Sequence, residues 1–261
     1  MLETIKVDRN GNVTIITLSR PEAMNSFNVQ MAKELLQAFS DADNNKAVRA
    51  ILFRGEGPAF CAGGDIGMFA QNIDNMANMV PDTMEVLNTL ISTMLNCRKP
   101  ILAQAHGSVA GVGVSFILAC DLVIASENTK FTMAYAGIGL SPDGGASYLL
   151  PRVVGQRRAM QMFLLPDIFS AEEALQMGLI NWCVADADLD KATSKLMHKL
   201  SNGPNIAYKR VKKLLNQTWD NQVDDQLQAE IHAFTECAIS QDFKRGVSAF
   251  LAKKKPVFEG S

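Results

Sequence analysis

Apolar and polar positions along this chain switch repeatedly between a strand period and a helix period. Val13-Thr14-Ile15-Ile16-Thr17-Leu18 is rich in β-branched residues and predicts a strand. Arg20-Pro21-Glu22-Ala23-Met24-Asn25-Ser26 breaks the pattern and predicts a turn-rich loop. Residues 28–44 place Met31, Leu35, Leu36 and Phe39 on one helical face. Val48 to Phe53 reads as a buried strand. Residues 66–96 are rich in methionine and mostly helical, with a break expected at Pro81. Pro100 to Ala105 predicts a strand, Gly111 to Ala119 a buried helix, and Leu122 to Ala125 another strand. Ser141-Pro142-Asp143-Gly144-Gly145 is a tight loop before a further helix. Ser170-Ala171-Glu172-Glu173 has the spacing of a capping box, and Gly178 closes its helix. From about residue 187 the pattern is almost wholly helical.

Strand, glycine turn and helix thus recur at intervals of about fifty residues, which predicts an α/β fold of wound, repeated ββα units. Two of the turns carry candidate chemistry. The first is Phe60-Cys61-Ala62-Gly63-Gly64-Asp65, and the second is His106-Gly107-Ser108-Val109-Ala110-Gly111-Val112-Gly113-Val114-Ser115. A helix start leaves backbone N–H groups unpaired and carries partial positive charge. Two such starts facing each other can hold a carbonyl oxygen that turns negative during a reaction. The glycine spacing is not a dinucleotide fingerprint, because no third glycine follows where one is needed.

Composition removes several function classes. A formal charge of −2 over 261 residues offers no electrostatic footprint for nucleic acid or an anionic membrane. Lys253-Lys254-Lys255 is a local exception and reads as a solvated face. The longest apolar run, Val109 to Cys120, is short of the ~20 residues a membrane span needs. The opening Met1-Leu2-Glu3-Thr4 lacks the apolar core of a signal peptide. Five cysteines without a CxxC, and three histidines, give no zinc-type ligand spacing, so no metal is expected. The cysteines read as reduced, mostly buried thiols of a cytoplasmic protein.

Six ordered blocks then carry a resemblance: R-P-E-A-M-N-S-F (20–27), A-F-C-A-G-G-D-I (59–66), G-S-V-A-G-V-G-V-S-F-I-L-A-C-D (107–121), G-L-S-P-D-G-G-A-S-Y-L-L-P-R-V-V-G (139–155), S-A-E-E-A-L-Q-M-G-L-I (170–180) and F-L-A-K-K-K-P-V-F-E-G (250–260). Over essentially its whole length the chain resembles the crotonase superfamily of enoyl-CoA hydratases and isomerases. The resemblance implies a ββα spiral over residues 1–195 and a C-terminal helical trimerisation region over 196–261. It implies homotrimers or hexamers, and acyl-CoA thioesters as substrates with coenzyme A as part of the substrate and no separate cofactor. It assigns oxyanion-hole N–H groups to Gly64 and Val112, where the family usually has glycine at the second position. It puts Met24, Ala62, Asp65 and Ile66 near the CoA adenine and ribose, and has Phe258 close the CoA site, from the same or a neighbouring subunit.

The reaction turns on three positions. Hydratases of this family use two glutamates, and here those positions are Ser115 and Tyr135, which read as pocket lining. Adding water across a double bond needs a base and an acid, and a hydroxyl with a pKa of ~10 is a poor replacement. Asp143 supplies a carboxylate in a loop where Δ3,Δ2-enoyl-CoA isomerases and ring-modifying phenylacetate-pathway isomerases carry their acid. Read alone, Asp143 before glycine is a common turn residue; with the resemblance it is the expected catalytic acid/base. Phe60, Phe116, Met133 and Leu140 are candidates for an apolar pocket that raises its pKa. The competing readings are a hydratase using Asp143, a dehalogenase, against which Asn88 and Tyr135 argue, and a non-catalytic acyl-CoA binder.

Overall fold

A computed structural model describes residues 2–261. Strands β1 (Ile5–Asn10) and β2 (Val13–Leu18) form an antiparallel hairpin that turns at Gly11, φ +60°. Sequence periodicity misses β1 because five of its six side chains are exposed, so it lacks the alternation of a half-buried strand. Helix α1 (Val29–Asn44) is capped by Asn28, whose Oδ1 accepts from the Met31 N–H at 2.8 Å, and buries Met31, Leu35 and Phe39. In chain order there follow β3 (Ala50–Gly55), α2 (Ile66–Gln71), α3 (Met76–Asn96), β4 (Ile101–Ala105), β5 (Ser108–Ala110), α4 (Val112–Leu118), β6 (Leu122–Ser126) and β7 (Lys130–Thr132). Then come α5 (Ala146–Val154), α6 (Gln156–Leu164), β8 (Phe169–Ser170), α7 (Ala171–Gln176), β9 (Trp182–Val184), α8 (Leu189–Ser201), α9 (Asn205–Gln217), α10 (Val223–Ala238) and α11 (Gln241–Leu251).

The main sheet has the order β1-β2-β3-β4-β6-β9 and is parallel from β2 onward. Its register aligns Ile16, Phe53, Ala103 and Val123 in one row. That face packs on α1, α3 and α4, while Leu52, Leu102 and Ile124 on the other face meet Leu189 and Met197 of α8. Burial on both faces is why these strands read as continuous apolar runs. A second, small sheet has the order β5-β7-β8. β4 and β6 in the first sheet are each followed by a short strand, β5 and β7, in the second. After β2 and β3 the short strand shrinks to single bridges, Phe27 with Gly64 and Cys61 with Val109. The architecture is the expected α/β ββα spiral with a C-terminal helical region. Phe53 centres the core, edge-to-face with Phe39, Phe60 and Phe116 at centroid distances of 5.3–5.9 Å.

Two expectations change. Helix α3 runs unbroken through Pro81; the interruption falls upstream, in the 3-10 turn Ile73–Asn75. Pro81 lies exposed in the second turn of α3, and the burial of Leu87, Leu90, Ile91 and Met94 further along outweighs its one missing helical hydrogen bond. Of the five cysteines, all free, only Cys61 and Cys97 are fully buried. The capping box at Ser170 and Glu173 forms with both bonds in place, and Gly178 takes φ +78° just past α7. No helix among the described residues is long and apolar enough to cross a membrane.

Candidate active site

The two glycine turns lie against each other. Phe60 N–H donates to the His106 carbonyl at 2.9 Å, Cys61 N–H to Ser108 at 3.2 Å, and Ala110 N–H to Cys61 at 2.9 Å. Glycine is required where the turns touch. A Cβ on Gly113 would stand 2.4 Å from the Cys61 carbonyl oxygen. At Gly111, which packs against Gly63, the constraint is instead the backbone, φ +49°. Among the described residues the N–H groups of Gly64 and Val112 donate to no acceptor. Val112 is the first residue of α4 and its side chain is buried in the core, which leaves its N–H clear. Gly64 lies in an extended bridge with Phe27, two residues before α2 begins.

Around this cradle the loop 20–27 is pinned by Asn25, which is fully buried. Its Nδ2 donates to the Glu56 and Ala59 carbonyls at 2.8 and 2.7 Å, and its Oδ1 accepts from the Arg20 N–H at 2.8 Å. Ala62 N–H donates to the Met24 carbonyl at 3.1 Å. Asp65 caps α2 through the Met68 N–H and pairs with Arg20 at 2.9 Å; although burial opposes its charge, these partners hold its pKa below the ordinary value. Met24, Ala62, Asp65 and Ile66 therefore cluster on one rim, with Met24 and Ile66 exposed. Phe258 does not join them. Within one protomer it lines a separate cavity of about 410 Å³ between α9 and α11, and Arg49 holds its carbonyl at 2.8 Å.

Ser115, Tyr135 and Asp143 come together although 28 residues separate the first from the last. Tyr135 lies not on a strand but at the start of a 3-10 turn (Ala136–Ile138), just after Ala134 at φ +50°. Its hydroxyl donates to Asp143 Oδ1 at 2.7 Å. Ser115 Oγ lies 3.3 Å from that hydroxyl and donates to the Asp143 carbonyl at 3.2 Å. Burial raises the Asp143 pKa above the ordinary carboxylate value, and the Tyr135 bond opposes the rise. Burial and the Asp143 charge push the Tyr135 hydroxyl upward, so it serves as a neutral donor. Cys61 nearby is pushed up to about 12 by burial and remains a thiol.

Asp143 opens into a cavity of about 370 Å³ formed by the loop 140–145 and by Met68, Phe69, Met76, Met79, Val80 and Met84. Asn88 lies on its margin, and Asp143 is the sole acidic side chain in its lining. Leu140 is there as expected. Phe60, Phe116 and Met133 are not: all three are buried in the core and do not reach the cavity. The methionines of α2 and α3 take their place. Their concentration between residues 68 and 84 was the sequence signal, although core packing explains such runs equally well. His106 and Asp121 prove structural. His106 Nε2 contacts the Gly57 carbonyl at 2.9 Å, and Asp121 accepts from Lys212 Nζ at 2.6 Å and the Ile101 N–H at 2.7 Å.

The wound ββα core is one that comparison with known proteins assigns to a family. The family model described as "Enoyl-CoA hydratase/isomerase" matches residues 8–261, and the chain belongs to that family. It is 38% identical to a Rhodobacter capsulatus protein named "Probable enoyl-CoA hydratase", over 98% of each chain. It is 35% identical to the 1,2-epoxyphenylacetyl-CoA isomerase of Escherichia coli K12 over the full length of both. A crystal structure of an enoyl-CoA hydratase from Polaromonas sp. JS666 superposes with a TM-score of 0.93 at 30% identity, covering 98% of this chain and 99% of the other. The activity is thus of the enoyl-CoA hydratase/isomerase type, on acyl-CoA thioesters. Relatives of both kinds match, so the family alone does not choose between hydration and isomerisation.

Proposed function

We propose that the protein is an enoyl-CoA isomerase that moves a double bond from C3 to C2 of an acyl-CoA thioester. The observation that carries this reading is the acid inventory of the site: Asp143 is the one carboxylate in the cavity lining, and positions 115 and 135, buried behind it rather than lining the cavity, hold serine and tyrosine. One base suffices for a 1,3-proton shift, whereas hydration draws on a base and an acid. Asp143 takes a proton from C2 of the 3-enoyl thioester. The thioester oxygen becomes a dienolate oxyanion, and the N–H groups of Gly64 and Val112 stabilise it. Protonated Asp143 then returns the proton to C4. Desolvation at Asp143 strengthens the base, since a raised pKa brings it nearer the operating pH. Met24, Ala62, Asp65 and Ile66 bind the adenine and ribose end, and the methionine-lined cavity takes the acyl chain.

The exposed apolar side chains of the helical region support self-association as a homotrimer or hexamer: Val223, Leu227, Ile231 and Phe234 on α10, and Phe250 and Leu251 on α11 are all more than half exposed. In such an assembly Phe258 closes the CoA site of a neighbouring subunit.

Turnover of 2-enoyl-, 3-enoyl- and ring-epoxide-CoA substrates tests the reading. Isomerisation of 3-enoyl-CoA is expected to be fastest. Faster hydration of 2-enoyl-CoA would overturn it. Faster turnover of the ring epoxide would favour the second reading, a ring isomerase like the Escherichia coli relative.

A further inference from the structure

The carboxylate of Asp143 is held asymmetrically. Its Oδ1 accepts the Tyr135 hydroxyl at 2.7 Å and the Asp143 backbone N–H also favours the carboxylate, while among the described residues no other residue donates to Oδ2. The donor is itself fixed. Ser115 Oγ touches the Tyr135 hydroxyl at 3.3 Å and reaches round to the Asp143 backbone carbonyl at 3.2 Å, so both ends of the aspartate are tied to one buried hydroxyl pair. Ser115 is fully buried and Tyr135 nearly so. The backbone closes the arrangement from two sides. A Cβ on Gly144 would stand 2.9 Å from the Ser115 Cβ, and one on Gly111 3.8 Å from the Tyr135 ring. The aromatic ring therefore rests on the same glycine turn that presents the Val112 N–H.

From this geometry we infer that Tyr135, steadied by Ser115, is a positioning residue that reserves Asp143 Oδ2 as the one oxygen that both takes the proton from C2 and returns it to C4. The inference rests on the isomerase reading above and adds how a single carboxylate keeps its proton between two steps. In the first step the C2–H bond breaks, the proton bonds to Oδ2 and the electron pair moves through the conjugated system onto the thioester oxygen. In the second the Oδ2–H bond breaks, the pair returns, and the proton forms the new C4–H bond. A carboxyl group free to rotate would exchange its two oxygens and give the proton up to water. One locked at Oδ1 keeps it on the substrate side.

The test uses the full-length protein and 3-hexenoyl-CoA carrying deuterium at C2. In the wild type a measurable share of the deuterium should appear at C4 of the product, read by mass spectrometry. Tyr135→Phe removes the bond to Oδ1 and keeps the ring. Its kcat should fall on the order of 10- to 100-fold with little change in KM, as expected for a misplaced catalytic group. The share of label reaching C4 should fall. The acidic limb of the kcat profile should move to higher pH, because the lost hydrogen bond favoured the charged carboxylate. Ser115→Ala, the milder change, should move the same readouts in the same direction by less, and it serves alone if Tyr135→Phe does not fold. Unchanged label transfer and an unchanged acidic limb overturn the inference, even if kcat falls. A wild-type product whose new C4 hydrogen comes only from solvent overturns it as well. Asp143→Asn separates the two levels: full turnover in that variant sinks the isomerase reading itself, whereas an inactive Asp143→Asn beside an unmoved Tyr135→Phe sinks only the role of Tyr135.

Discussion

The glycine-turn and Asp143 side of the site and the α2–α3 wall of the cavity are built by opposite means. On the first, the Gly64 and Val112 N–H groups have no acceptor among the described residues, the Asp143 carboxylate is hydrogen-bonded, the close contacts at Gly113 and Gly144 leave no room for a methyl group without movement, and Gly111 takes φ +49°. On the second, flexible methionine side chains make the wall, and no hydrogen bond fixes their ends. Reaction chemistry needs groups held to a fraction of an ångström, while an acyl chain needs only an apolar volume that can adapt. Substitutions on the two sides should therefore fail differently.

The largest effect is expected at the chemical centre. Asp143→Asn should lower kcat by about 10²–10⁴-fold, the usual reach of a general acid–base, with little change in ligand affinity. In the wild type, kcat should fall as pH drops through the raised Asp143 pKa, because the base must be ionised to act; a stopped assay across pH locates that limb above the ordinary carboxylate range. Next comes the backbone of the cradle. Gly113→Ala gains about 1 kcal/mol of helix propensity but puts a Cβ 2.4 Å from the Cys61 carbonyl, whose residue is bonded into both turns. Overpacking of about 1–3 kcal/mol should win, lowering the denaturation midpoint and the activity together.

Glu34 is a control outside both walls. It is buried and accepts from Thr4 Oγ1 at 2.6 Å, from the Glu3 and Thr4 N–H groups at 2.9 Å and from Gln30 at 2.8 Å. Burial opposes its charge, yet these donors hold its pKa down to about 2 from 4.5. Its contribution to stability is present above about 4.5 and lost as pH falls toward about 2. Glu34→Gln should lower Tm at neutral pH, narrow its gap to the wild type in that window, and leave kcat/KM unchanged. The smallest effect is expected on the methionine wall. Met79→Leu conserves volume and should cost under about 1.5 kcal/mol, with KM altered by less than about tenfold. A loss of kcat there as large as that of Asp143→Asn would break the contrast.

The windings of the spiral were legible because each strand is a continuous apolar run and each turn carries glycine. β1 was not, since its exposed side chains carry no period. Pro81 misled because the local cost of proline is smaller than the burial along the rest of α3. Phe60, Phe116 and Met133 were placed in the pocket on residue type alone, although direction of the side chain decides which apolar residues line a cavity and which fill a core.

Residue types and spacing by themselves determined the α/β winding, the pair of glycine turns, the family and the absence of acids at 115 and 135. Those properties are local or additive along the chain. Only the tertiary structure decided that the two turns share hydrogen bonds, that Phe258 lies in a different cavity of the same protomer, and that the Tyr135 hydroxyl binds Asp143 Oδ1. A hydrogen bond requires both distance and direction. Here they are set by a left-handed turn at Ala134 and the packing of α4 against the first glycine turn, neither of which any single stretch of sequence contains.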